Sequence, residues 1–152
     1  MKLKTLEVKA AIQISKPANE VFEAIVDPEK MSNYFIAKGN GRMKEGEIIF
    51  WKFPEFDAES PIRTGKIEIN KYVSFYWDID YLLFVEITLT SKPNNCTLVS
   101  ITEKSRENDE AGIRWLVGNT EGWANFLACL KAWLEYGINL RKGAFDFMSE
   151  KI

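Results

Sequence analysis

The sequence contains no histidine in its 152 residues. Histidine is the usual general base of hydrolytic enzymes because its ordinary pKa lies near neutrality. Its absence excludes Ser-His-Asp and Cys-His catalysis, and it also excludes histidine-ligated metal sites. Any catalysis would have to use Asp, Glu, Lys, Tyr or Cys side chains.

Cysteine is almost as scarce, since Cys96 and Cys129 are the only two. They stand in no spacing typical of metal ligands, so neither a disulfide framework nor a zinc site is expected. We therefore predict two reduced thiols, a cytoplasmic location, and no bound metal or cofactor.

Long apolar runs and an excess of one charge are missing as well. The longest apolar run is YLLFV, residues 81–85, and the first ten residues lack the apolar core of a signal peptide, so we expect neither export nor a membrane span. The 20 basic residues are balanced by 22 acidic ones, whereas a nucleic-acid partner would favour a basic excess. We therefore expect no nucleic-acid partner.

The overall composition is typical of a globular protein, with 46% hydrophobic and 28% charged residues. A chain of this length forms a core that buries roughly 70% of its unfolded surface. We find no repeat or linker, and we predict a single domain over residues 1–152.

The N-terminal third predicts one strand followed by short helices. Apolar residues alternate with polar ones over residues 6–14, as in a half-buried strand. Val21, Phe22, Ile25 and Val26 then recur at helical spacing until Asp27-Pro28 ends the run. A second helical turn is expected around residues 29–34, and the three glycines between residues 39 and 46 indicate a hairpin and loop.

Residues 46–104 predict an antiparallel meander. Five short segments rich in β-branched and aromatic residues are separated by turn residues, among them Pro54 and Pro61. Alternation assigns these side chains to the inner face: Phe75, Trp77, Ile79, Val85, Ile87, Leu89, Val99 and Ile101. In the segment EIIFWKF, Phe50 and Trp51 must point to opposite faces, and the pattern leaves open which one is buried.

The C-terminal part predicts a long helix. We expect a polar loop over residues 103–112, a leading turn, and a main helix from about Thr120 to Arg141. At helical spacing six side chains form a broad apolar stripe that must face the sheet: Trp123, Phe126, Leu127, Leu130, Trp133 and Leu134.

The order of these elements resembles the helix-grip fold of the START/Bet v 1-like (SRPBCC) superfamily. The opening segment carries a Pro-Ala-x-x-Val-Phe step at residues 17–22 and an Asp-Pro-Glu turn at residues 27–29. The Gly122-Trp123 pair and the leucines after it are similar to the closing helix of the activator of heat-shock-protein-90 ATPase homologue (AHSA) branch. The resemblance implies an α+β fold in which a curved antiparallel sheet wraps around a long C-terminal helix.

This fold implies a cavity between sheet and helix, because a straight helix cannot contact a curved sheet along its whole length. We expect the cavity to bind a hydrophobic or amphipathic small molecule. The predicted lining comprises Phe75, Trp77, Val85, Ile87, Ile101, Trp115, Trp123, Phe126 and Leu127, with Glu103 and Arg114 as polar contacts near the mouth. The same aromatic side chains would equally well fill a packed core.

Two other functions stay open at this point. One is an enzyme resembling the cyclases, dehydratases and hydrolases of the superfamily, for which Glu103, Arg114, Lys52 and Tyr76 are candidate groups, although no spacing forces any two of them together. The other is a co-regulator of a chaperone ATPase. We favour binding without catalysis and assign no catalytic residue; a homodimer is also left open.

Overall fold

The computed structural model describes residues 3–149, with the exception of the Ile79 side chain, so the inward assignment of Ile79 lies outside the described part. Its strands are β1 (Thr5–Ile14), β2 (Lys38–Gly39), β3 (Ile48–Lys52), β4 (Glu59–Glu68), β5 (Tyr72–Trp77), β6 (Leu83–Lys92) and β7 (Cys96–Glu107). Its helices are α1 (Ala18–Val26), α2 (Pro28–Met31) and α3 (Glu110–Tyr136), with short 3₁₀ turns at Ile79–Tyr81 and Asp146–Met148.

The strands form one curved antiparallel sheet in the order β1-β7-β6-β5-β4-β3-β2. β1 lies at the edge and pairs with β7 from Thr5 opposite Glu107 to Ile14 opposite Thr97. The predicted α+β helix-grip fold is confirmed.

The described side chains that we assigned to the inner face of the sheet point into the core. Phe75, Val85, Ile87, Val99 and Ile101 are all buried, with at most 1% of each residue exposed. The ambiguity in β3 is resolved by burial, because Trp51 packs into the core while Phe50 remains 39% exposed.

β4 begins earlier than we predicted, at Glu59, and it contains Pro61. Pro61 pairs with Phe50 of β3. On its other side β5 pairs with β4 only from Arg63 onward. A proline that cannot donate a backbone hydrogen bond is tolerated at such a partly unpaired stretch, so our use of Pro61 as a strand breaker was wrong.

The start of α3 was also predicted wrongly, since the helix begins at Glu110 and not near Thr120. The Asp109 side chain caps it and accepts a hydrogen bond from the Gly112 backbone N–H at 2.7 Å. Gly112 is required here because a Cβ atom would lie 1.8 Å from the Glu107 carbonyl oxygen. What we predicted as a polar loop is therefore the end of β7 and a tight turn into the helix.

The helix ends at Tyr136 and not at Arg141. Gly137 takes a left-handed conformation with φ of 65°, and its N–H donates to the Trp133 carbonyl at 2.9 Å. Glycine adopts this conformation without the steric cost that a Cβ imposes. Residues 138–149 consequently leave the helix and fold back as a separate segment.

α3 packs mainly against β1 and β7. On the opposite side, toward β3 to β5, the space between helix and sheet is occupied by aromatic side chains, which include Phe35, Trp51, Phe75 and Trp123. The candidate site lies at the outer margin of this aromatic cluster.

Gly112→Ala should destabilise the protein by about 2–4 kcal/mol, because the added methyl group displaces backbone and disturbs the helix cap. Gly118→Ala is the matched control in the same helix, since a Cβ there meets nothing within 4 Å. We expect that control to stabilise the protein by about 1 kcal/mol through helix propensity. Urea unfolding followed by tryptophan fluorescence measures both; equal stability of the two variants would contradict the capped turn.

Candidate functional site

A cavity of about 380 Å³ lies beside α3 and opens to solvent. One wall is the helix itself, which contributes Gly118, Asn119, Gly122, Trp123, Asn125, Phe126 and Cys129. The facing wall comes from the loop after α2, from the end of β5 and from the connection between β3 and β4, with Phe35, Trp77, Phe53, Glu55 and Phe56. The C-terminal segment completes the site with Arg141, Phe145 and Met148.

Two glycines create much of the space along the helix wall. Gly118 and Gly122 are one turn apart, so they lie on the same face. A Cβ atom at either position would meet nothing within 4 Å. The cavity therefore borders bare helix backbone where any larger residue would project a side chain into it.

The aromatic walls support one another through ring contacts. Phe35 lies at the centre, with ring centroids 5.1 Å from Phe53 and 4.7 Å from Phe126. Trp77 and Trp123 lie 5.5 Å apart at an angle of 37°. Such contacts add to the stability gained from burying each ring, and they hold the walls in place around the cavity.

Glu103 lies behind the two indoles and is completely buried. One carboxylate oxygen accepts a hydrogen bond from Trp77 Nε1 at 2.6 Å. The other accepts from Asn119 Nδ2 at 2.7 Å and Trp123 Nε1 at 3.1 Å. The carboxylate thereby links β5, β7 and α3, and it turns the polar edges of both indoles toward itself.

An ion pair forms the polar part of the lining. Arg141 donates from Nη1 and Nη2 to the two carboxylate oxygens of Glu55, at 3.0 and 2.8 Å. Only 13% of the Arg141 side chain and 4% of the Glu55 side chain are exposed. The guanidinium carbon lies 5.8 Å from the Phe53 ring centre and 5.1 Å from that of Phe145. The pair fastens the C-terminal segment to the connection between β3 and β4.

Two buried groups near the site have shifted pKa values. Burial raises the pKa of the Cys129 thiol, and the charge of Arg141 offsets this shift only in part. Burial also raises the pKa of Tyr34, whose hydroxyl donates to the Ala24 carbonyl at 2.7 Å. Both groups stay protonated at neutral pH, so Cys129 is a poor nucleophile despite its place in the lining.

Comparison with known families agrees with this architecture. The family model described as "Activator of Hsp90 ATPase homolog 1-like protein" matches residues 15–135. The chain belongs to this family. Its place is in the AHSA branch of the START/Bet v 1 superfamily, as the sequence motifs predicted.

Several solved structures share the AHSA1-like fold. SSP2350 from Staphylococcus saprophyticus has 30% identity and a TM-score of 0.80, over 90% of this chain and 96% of that chain. BH1534 from Bacillus halodurans has 20% identity and a TM-score of 0.75, over 88% and 100% of the two chains. The Aha1 dimer from Colwellia psychrerythraea has 19% identity and a TM-score of 0.75, over 87% and 98%. No curated protein matches the sequence.

Three of the predicted lining residues border the cavity of this AHSA1-like chain, namely Trp77, Trp123 and Phe126. The other apolar ones on the sheet and helix are buried in the core behind it: Phe75, Val85, Ile87, Ile101 and Leu127. Whether any of these residues contacts a ligand stays a prediction.

The residues that we predicted at the mouth lie elsewhere. Glu103 is in the interior and reaches the cavity only through its hydrogen-bonded partners. Arg114 is exposed on α3 and does not border the cavity. Trp115 packs at the margin of the core near Arg106, also outside the cavity. Because α3 begins at Glu110, both residues lie in its first two turns, just before the part of the helix that lines the cavity, which starts at Gly118.

The four groups considered for catalysis do not converge. Lys52 donates from Nζ to the Phe56 carbonyl at 2.6 Å. The Tyr76 ring stacks on Phe84 with centroids 4.6 Å apart, on the outer face of the sheet. With Glu103 in the core and Arg114 exposed on α3, no two of these four candidates share a site.

Several lining residues were not predicted from sequence. Phe35 and Phe56 lie in connecting segments, where no periodicity indicates a facing direction, and Phe53 follows directly after the end of β3 at Lys52. Arg141 and Glu55 are 86 positions apart, and no local pattern pairs them. The one available signal was the bare stripe of Gly118 and Gly122 in an otherwise bulky helix.

Two negative findings concern the part of the chain that the structure describes. Among residues 3–149, no helix is long and apolar enough to cross a membrane. Within the same range, no three Cys, Asp or Glu side chains are grouped closely enough to hold a metal ion.

Glu103→Gln should lower the free energy of unfolding by about 1–3 kcal/mol, because an amide group cannot accept from three donors as a carboxylate does. The near-ultraviolet circular dichroism of Trp77 and Trp123 should change with it. Glu7→Gln is the control, since Glu7 is exposed on β1, and its effect should stay within about 0.5 kcal/mol. Indistinguishable stabilities would show that the three hydrogen bonds contribute little.

Proposed function

We propose that this AHSA1-like protein binds a hydrophobic or amphipathic small molecule in the cavity beside α3. The observation that carries the proposal is the cavity itself, with about 380 Å³ of space bounded by aromatic rings and bare helix backbone. Binding pockets for small molecules range over roughly 300–1,000 Å³ and are mostly apolar with a few placed polar groups. The site agrees with that description in size and in chemistry.

Gly118 and Gly122 favour a ligand-binding cavity over a filled core. A glycine inside a helix lowers stability by about 1 kcal/mol relative to alanine, and Gly118 and Gly122 have room for larger side chains. If stability alone determined these positions, larger residues would pack against the neighbouring rings. Keeping both positions bare leaves space for an apolar ligand, whose removal from water drives binding.

Catalysis and direct action on a chaperone ATPase remain alternatives that no specific contact favours. The two charged lining groups, Glu55 and Arg141, are paired with each other. The buried Cys129 is protonated at neutral pH. We therefore propose binding as the function and assign no reaction.

Self-association is a separate expectation. The related Colwellia protein was solved as a dimer, and that description applies to that protein alone. Light scattering of this chain after size-exclusion chromatography measures whether the particle has the mass of one chain or of two; a single-chain mass over the accessible concentration range would contradict a homodimer.

Gly122→Leu should weaken ligand binding, because the leucine side chain occupies part of the cavity. The probe is N-phenyl-1-naphthylamine, a neutral dye whose fluorescence rises in apolar surroundings. We expect its affinity to fall about tenfold or more, the effect of losing at least 1.4 kcal/mol of binding free energy. Stability should not fall, because leucine has a higher helix propensity than glycine by about 0.8 kcal/mol.

Ala124→Leu is the matched control, since it adds a leucine side chain to an exposed position of the same helix that does not border the cavity. It should bind the dye as the wild type does. Failure of the wild-type protein to bind, or equal binding by all three proteins, would show that the cavity is not a ligand site.

A further inference from the structure

We propose that the ligand carries an anionic head group, a carboxylate, and that Arg141 binds it. This inference rests on the proposed function, because it concerns the same cavity. It adds the chemical class of the ligand: an acid with an apolar body, held by the aromatic walls at one end and by a guanidinium at the other.

The head group of an amphipathic ligand has few possible partners in this cavity. A polar group that leaves water without a new hydrogen bond loses several kcal/mol, on the order of 2–7. Most of the lining is aromatic or backbone, and Glu55 and Arg141 are the two charged residues among the described ones that border the cavity. Asn119 already donates to Glu103, and Asn125, the other amide in the lining, carries no charge to balance that of an ionised head group. The head group therefore belongs next to the ion pair.

Arg141 has the free capacity that a carboxylate needs. A guanidinium carries five N–H donors, and two of them are directed to the oxygens of Glu55. The guanidinium carbon also lies 5.8 Å from the centre of the Phe53 ring and 5.1 Å from that of Phe145, so two ring contacts help to hold the group in addition to Glu55. Guanidinium and carboxylate also match in geometry, which makes paired hydrogen bonds between them strong and directional.

Glu55 is the partner that a ligand can replace. It lies in the connection between β3 and β4, and its neighbour Phe56 is 45% exposed. For a ligand to replace it, the Glu55 carboxylate has to leave Arg141 and turn into water, where its charge is solvated. If a ligand carboxylate takes its place, the number of hydrogen bonds to Arg141 is conserved.

The surrounding charge also favours an anion over a cation. A second, smaller cavity of about 180 Å³ borders the same ion pair from the other side, and Lys142 lines it. The residues that line the two cavities thus include two basic side chains, Arg141 and Lys142, and one acidic side chain, Glu55.

The head-group contact lies outside the part of the chain that matches the family. The match ends at residue 135, whereas Arg141 follows the helix end at Gly137. The proposed contact with the acid therefore involves a residue that lies beyond the family match.

The experiment compares three probes with the same ten-carbon tail: decanoate, 1-decanol and decyltrimethylammonium. Each displaces N-phenyl-1-naphthylamine from the protein at pH 8, where a carboxylic acid is ionised. The proteins are the wild type, Glu55→Gln and Arg141→Met. Unfolding curves for all three confirm that each is folded under the assay conditions.

We expect the wild type to bind decanoate more tightly than 1-decanol. Arg141→Met should reduce the affinity for decanoate about tenfold or more, since a hydrogen bond to a charged group contributes about 1.5–3 kcal/mol, a factor on the order of ten to a hundred. Its affinity for 1-decanol should stay within about twofold. Glu55→Gln should strengthen decanoate binding several-fold, a gain that a folding defect cannot produce.

Changes in affinity in the opposite direction would overturn the inference. Weaker decanoate binding by Glu55→Gln would show that Glu55 does not compete with the ligand for Arg141. Tighter binding of decyltrimethylammonium than of decanoate by the wild type would show that the head-group site prefers a cation. An unchanged ratio of decanoate to 1-decanol affinity in both variants would show that neither residue binds the head group. These results leave the proposed function intact, whereas failure of the wild type to bind 1-decanol or the dye removes both proposals.

Discussion

A straight helix cannot remain in contact with a sheet that curves away from it, and the structure depends on how the resulting gap is filled. α3 packs against β1 and β7, so the gap opens on the side of β3 to β5. Most of it is taken up by rings, with Trp51, Phe75 and Trp123 in the interior and Phe35 nearer the surface. At the outer margin the gap stays unfilled and forms the cavity, because Gly118 and Gly122 contribute no side chains. A core and a cavity are thus two parts of the same layer between helix and sheet.

Glu103 lies where the core meets the cavity, because its three hydrogen-bond donors all line the cavity. Its carboxylate occupies an inward position of β7 that an apolar residue would normally fill, and it is stabilised by three neutral N–H donors. Two of these are the indoles of Trp77 and Trp123, whose polar edges it holds away from the opening. A molecule in the cavity therefore meets ring surface there. Buried polar networks of this kind fix one arrangement of side chains when all members are satisfied.

The fold was predictable because it rests on short-range patterns. Alternation identified β1 and the inward set that includes Phe75 and Ile101, and the Gly122-Trp123 pair with its leucines identified the helix and its family. The start of α3 was not predicted in the same way, because it depends on an aspartate cap and on a glycine required by the nearby Glu107 carbonyl. The site was predictable only where it coincides with regular structure, at Trp77, Trp123 and Phe126. Glu55 and Arg141 meet only after the whole chain has folded, so no local pattern in the sequence pairs them.

The pairing of β1 with β7 has a consequence for how the chain folds. Thr5 lies opposite Glu107, so among the described strands the first one, β1, pairs with the last one, β7. During synthesis β1 emerges first and stays without a partner until β7 has been made. Contacts between residues so distant in sequence slow folding, because a long loop must close before they form. In that interval β1 and β6 both present unpaired edges of the kind that associate with other chains, so the nascent chain is most prone to aggregation just before its last strand joins the sheet.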